Sequence, residues 1–105
     1  DLIRKFLKAA YRGWDYTLKN PEEAIGILAK HHPINRDDLV ANLKVVMDFF
    51  KTDRYKNNGI GYIDPGRMKE TIDLVKTYQG VAIPFAYEEM YTADLLPKPM
   101  YKYNW

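Results

Sequence analysis

The residues best suited to chemistry in this chain are few, and most of them stand where helix punctuation would put them. His31 and His32, followed by Asp37 and Asp38, form the stretch richest in metal-ligating types. Adjacent histidines cannot share one helix face, and paired aspartates in a first helical turn answer the positive end of the helix dipole. The acid pairs Glu22, Glu23 and Glu88, Glu89 also fall at helix starts or on short exposed segments. Catalysis by paired carboxylates needs one of them in a dry pocket with a raised pKa. The sequence contains no cysteine and no nucleophile-elbow glycine pattern, and Gly59-Ile60-Gly61 is too little for a phosphate-cradling loop. These residues predict no enzyme activity, no catalytic residue, no metal site and no cofactor.

Two further groups could bind rather than react. Arg4, Lys8 and Arg12 recur at i, i+4 and i+8 and could meet an anionic surface, but Asp15 interrupts the stripe and a solvated basic face is the plainer reading. Nine tyrosines and two tryptophans could supply flat faces for a planar ligand, and Trp14 and Tyr62 are the candidate ligand-binding residues. Trp14 also continues the apolar face of its helix, so packing weighs more heavily for it than ligand contact. Trp14→Ala should therefore cost on the order of 3 kcal/mol or more through lost packing.

The elements that must position these residues are helical. Ile3, Phe6, Leu7, Ala10, Trp14 and Leu18 recur at helical spacing from about Leu2 to Leu18. Asn20-Pro21 then reads as a cap followed by a first-position proline, with Asn20 and Glu23 as a capping-box variant. The second helix runs to His31, where Pro33 drives the preceding residue out of the helical region. Its core stripe is Ala24, Leu28 and either Ile25 or Ile27. Asn35 or Arg36 opens a third helix, whose broad face of Leu39, Val40, Leu43, Val46, Met47 and Phe50 predicts the central core element. Thr52 to Ile63 reads as a turn around Asn57-Asn58-Gly59 and Gly61. Asp64-Pro65 starts a fourth helix that stops at Gly80. Val81 to Ile83 is an isolated extended piece, Pro84 to Met90 a short fifth helix, and Leu96 onward an extended tail carrying Met100, Tyr101, Tyr103 and Trp105. The fold class is mainly α, four helices plus a short fifth, over residues 1–105 as a single helical domain or a fragment of a larger protein.

Composition excludes several classes. An apolar fraction of 47% with 29% charged residues is ordinary for a globular protein. Sixteen basic against fourteen acidic residues leave +2, too little for a nucleic-acid partner on charge alone. The chain shows no signal peptide and no apolar run of the ~20 residues that span a bilayer.

Phe6 to Ala24, with Gly13-Trp14, Tyr16 and Asn20-Pro21-Glu22-Glu23-Ala24, resembles the start of the C-terminal helical part of substrate-binding proteins of ABC importers. The group is the one that includes thiamine pyrimidine-precursor, nitrate, sulfonate and taurine binders. Gly61-Tyr62-Ile63-Asp64-Pro65 and Tyr91-Thr92-Ala93-Asp94-Leu95-Leu96-Pro97 resemble later segments of the same proteins, in the same order. The resemblance implies the last third of a two-lobed α/β periplasmic-binding-protein fold, a small-molecule ligand and an ABC permease as partners of the full-length parent, and a periplasmic or extracytoplasmic location. The strands and most ligand contacts would lie upstream, so the ligand is not carried over.

The alternative is a stand-alone helical protein-interaction module with neither ligand nor catalysis. In either case, helix faces built to cover a sheet have none to cover here, and large exposed apolar patches mark association. The segment alone must then repack as a bundle or pair with a second copy, and a homodimer that buries the faces of the first and third helices, with the first helix and the aromatic tail at its interface, is expected.

Overall fold

Asn20 divides the first two helices. In the computed structural model, which describes residues 1–103, α1 spans Leu2–Lys19 and α2 spans Pro21–His31. The further helices are α3 Arg36–Phe50, α4 Asp53–Asn58 and α5 Pro65–Gln79, followed by a 3-10 turn at Tyr87–Met90. The chain is mainly α, and no strand occurs among the described residues. Trp105, expected in the tail, lies outside them.

Most helix boundaries follow their caps. Asn35 Oδ1 accepts from the Asp37 amide at 2.9 Å, and Asp64 Oδ1 accepts from the Arg67 amide at 2.9 Å, with Pro65 in the first turn. Gly80 closes α5 at φ +62, a left-handed conformation that glycine adopts without a Cβ penalty. The Asn20 corner works differently from the expected capping box. The Asn20 side chain turns back, its Nδ2 donating to the Tyr16 carbonyl at 3.2 Å, so it finishes α1 and does not cap α2. Glu23 in turn takes the Tyr16 hydroxyl, whose pKa is raised first by that bond.

α4 replaces the expected turn. Thr52 Oγ1 accepts from the Tyr55 amide at 3.3 Å and starts a helix of six residues, which ends at Gly59 with φ +97.

Two compact units are present. The first comprises Asp1–Gly61 together with the chain from Leu96 onward. Its buried apolar side chains are Leu18, Ile25 and Ile60. Ile25 settles the open choice on α2, being 4% exposed where Ile27 is 47% exposed. The expected centre of the core, α3, buries none of its residues fully; Leu39, Val40, Leu43, Val46, Met47 and Phe50 are half-buried. The tail is not a free strip: the Ile60 amide donates to the Tyr101 carbonyl at 2.8 Å, and Met100 lies against Gly59.

The second unit, Tyr62–Leu95, is α5 with the 3-10 turn and the extended residues around it. Ile72 is its buried apolar residue. The Tyr87 hydroxyl donates to Asp73 Oδ1 at 2.8 Å while Lys69 Nζ donates to Asp73 Oδ2 at 2.7 Å. Lys69 and Lys76 also stand 4.9 and 5.3 Å from the centre of the Tyr87 ring, within cation–π range. Lys69 first, and then the Tyr87 hydroxyl, hold the Asp73 carboxyl below the usual carboxylate range. A depressed folded-state pKa gives stability that is present above the unfolded value and lost as pH falls through the folded one. Tyr87→Phe removes one of these donors, so the Asp73 titration followed by NMR should move up towards the ordinary range. A midpoint that stays where it was would mean that Lys69 alone sets it.

Candidate functional site

A groove of about 690 Å³ opens between α1, α2 and α3, wholly within the first unit. The volume lies in the range of small-molecule sites. Its α1 wall is low because three of its residues are small: Ala10, Gly13 and Thr17. A Cβ built on Gly13 meets nothing within 4 Å, so the space above this helix is open. Ile25, Leu28, Leu39 and Leu43 supply the aliphatic walls from α2 and α3.

Trp14 lines this groove and is 39% exposed. It also packs on α3, with the Phe50 ring centroid at 5.7 Å and tilted by 59°. Phe50 in turn meets Tyr55 of α4 edge-on at 5.5 Å. Trp14 therefore packs and faces the opening at once, where spacing alone weighed packing above ligand contact. Tyr62, the other candidate, is half-buried, begins the second unit and is not among the residues that line the groove.

His31 and His32 both reach the groove, which adjacency on one helix would forbid. The reason lies in Pro33. α2 ends at His31, and His32 takes an extended backbone at φ −129 and ψ 134, which re-aims its side chain relative to a helical continuation. The His-His-Pro sequence carries the signal for this, because a proline after adjacent histidines ends the helix between them. Tyr16 and Thr17 add hydroxyls to the lining. The groove is thus apolar and aromatic, with a few polar atoms along it, an arrangement suited to non-covalent binding of a flat or apolar group.

Arg36 and Glu22 pair at 3.0 Å between exposed side chains, a contact worth little in water. Asp15 Oδ2 accepts from Lys19 at 2.8 Å, while Asp15 Oδ1 is buried without a hydrogen-bond partner. Burial first, and then Tyr55, push the Tyr11 hydroxyl above its usual range. Among the described residues no cluster of three or more histidine or acidic side chains is arranged to hold a metal ion, and no helix is long and apolar enough to cross a membrane.

Comparison with known proteins gives a distant relative. The chain is 26% identical, over 105 residues, to the riboflavin-binding protein RibY of Chloroflexus aurantiacus. The alignment covers 96% of this chain and 30% of that protein, so the chain spans less than a third of the relative's length. No family model and no solved structure matches. The chain is thus similar, along almost its whole length, to part of a ligand-binding protein.

Proposed function

We propose that this chain is a segment of a solute-binding protein that captures a small molecule for uptake by an ABC-type importer. The observation that carries the reading is the similarity to a riboflavin-binding protein along 96% of the chain. The order of the motifs from Phe6 to Pro97 supports the importer group in particular. In this reading the partners are a small-molecule ligand and a membrane permease, the location is periplasmic or extracytoplasmic, and no cofactor, nucleic acid or chemical step is involved. The ligand is a thiamine precursor, a sulfonate, nitrate or, by the relative's name, a flavin.

The rest of the binding cleft lies outside these 105 residues, because such clefts close between two α/β lobes and the described residues contain no strand. Isothermal calorimetry of the chain against riboflavin, a thiamine pyrimidine precursor, taurine and nitrate is therefore expected to show no micromolar binding. Tight binding of any of them would place a complete site inside the chain. The encoding DNA tests the reading itself: an upstream open frame with an export signal and an α/β pattern is expected. A start codon directly before Asp1 would favour a stand-alone interaction module, which the exposed Leu2, Ile3 and Phe6 would then serve.

A further inference from the structure

We infer that Asn58-Gly59 is a self-modifying site kept closed by α4: when the last turn of that helix opens, the Gly59 amide displaces the Asn58 side-chain amide, and the product no longer seats the C-terminal tail. The inference is independent of the ligand reading. It rests on contacts within the first unit alone.

The chemistry uses two nitrogen atoms. The Gly59 backbone nitrogen attacks Asn58 Cγ and gives its proton to water, the Cγ–Nδ2 bond breaks, and Nδ2 takes up a proton and leaves as ammonia. One water then opens the resulting five-membered imide. Addition at Cγ leaves aspartate, whereas addition at the main-chain carbonyl carbon leaves isoaspartate, in which the backbone runs through Cβ. Nothing is oxidised or reduced. Glycine in the second position favours ring closure, because no Cβ stands beside the attacking nitrogen and the backbone is free to adapt. Of the asparagines in the chain, Asn58 alone precedes a glycine.

α4 holds both nitrogen atoms. Gly59 N donates to the Tyr55 carbonyl at 2.8 Å, and Asn58 Nδ2 donates to the Arg54 carbonyl at 2.9 Å. Nucleophile and leaving group are thus tied to adjacent carbonyls of one helical turn. Asn58 is also the last residue of α4, and a helical ψ keeps the following nitrogen out of the plane of the five-membered ring. Ring closure therefore requires both bonds to break and the end of α4 to unwind. A helix of six residues has little stability of its own, and this one starts on a single side-chain cap, Thr52 Oγ1 accepting from the Tyr55 amide.

The surroundings leave no room for the product. Isoaspartate lengthens the main chain by one methylene directly before Gly59, which is buried and so closely packed that a Cβ there would overlap Met100. Ile60, the next residue, is among the most buried side chains, and its amide holds the Tyr101 carbonyl. Either acid also loses the donor to Arg54 and adds a negative charge at the C-terminal end of α4, where the helix dipole disfavours it. Modification therefore loosens the grip of this turn on the tail.

The 105-residue chain, incubated at mildly alkaline pH and mapped by mass spectrometry, should convert Asn58 to aspartate and isoaspartate ahead of every other asparagine. A synthetic peptide of residues 51–63, too short to hold the helix, is the open reference. The folded chain should react more slowly than the peptide, by a factor that matches the hydrogen-exchange protection of the Gly59 amide to within about threefold. This comparison needs no variant to fold. Thr52→Ala removes the cap and should speed the reaction about fivefold, the effect of one cap on a local opening equilibrium. Asn58→Gln, which would have to close a larger ring, should stop it. The modified chain, separated by its added charge, should unfold at a lower urea concentration than the unmodified one. Equal rates in chain and peptide, a rate indifferent to Thr52→Ala, or no reaction at Asn58 in either would overturn the gating by α4. A modified chain as stable as the original would overturn the effect on the tail.

Discussion

Gly61→Ala is expected to destabilise the first unit by about 3 kcal/mol, from two costs that act together. The residue has φ +90, where an L side chain is strained. Its Cβ would also overlap the hydroxyl and ring edge of Tyr11. Tyr11 has little freedom to yield: it is half-buried on α1, with a hydroxyl removed far enough from water to raise its pKa and with Tyr55 close by. Gly59 beside it is similarly placed at φ +97, its Cβ falling 2.5 Å from Met100 Cβ and 3.0 Å from the Tyr101 carbonyl. Denaturant unfolding measures the loss. Gly13→Ala is the control of opposite sign, since that glycine is helical, meets nothing, and should gain roughly 0.5–1 kcal/mol on substitution. If Gly61→Ala unfolds at the wild-type midpoint, the close approach of Tyr11 is not a feature of the folded chain.

These glycines also mark the division between what a sequence discloses and what it does not. Asn57-Asn58-Gly59 and Gly61 announce a turn, and Gly59 and Gly61 do adopt positive φ. Nothing local says that Tyr11, some fifty residues earlier, and Met100, some forty later, pack against that turn; these are choices of tertiary packing. The same split runs through the helices. Asn35, Asp64-Pro65 and Gly80 were legible because caps act within a few residues. α4 was not, because Asp53–Asn58 is polar and too short to show an apolar period. For the groove, the period on α2 left Ile25 and Ile27 open, and two adjacent histidines looked incompatible with one site. The fold resolves both points by turning Ile25 inward and ending the helix between the histidines. Small residues at positions 10, 13 and 17 leave no hydrophobic signal, yet they line the groove and leave its α1 side open.

Leu18→Ala should cost about 3–4 kcal/mol, and Trp14→Ala only about 1–2, although tryptophan is much the larger side chain. Both lie on the apolar side of α1, and spacing alone gave Trp14 the cost of a core residue. Exposure separates them. Leu18 is 1% exposed, so truncation leaves a cavity that the helices can close only by moving. Trp14 is 39% exposed and lines an open groove, so water fills most of the space it vacates, and the principal loss is its contact with Phe50. Parallel urea titrations of the two variants compare these losses. An equal or larger loss for Trp14 would return it to the core and remove it from the groove. The expected order, with Leu18 the costlier, leaves Trp14 as a side chain the fold can spare, and so as the residue of α1 best placed to meet whatever enters the groove.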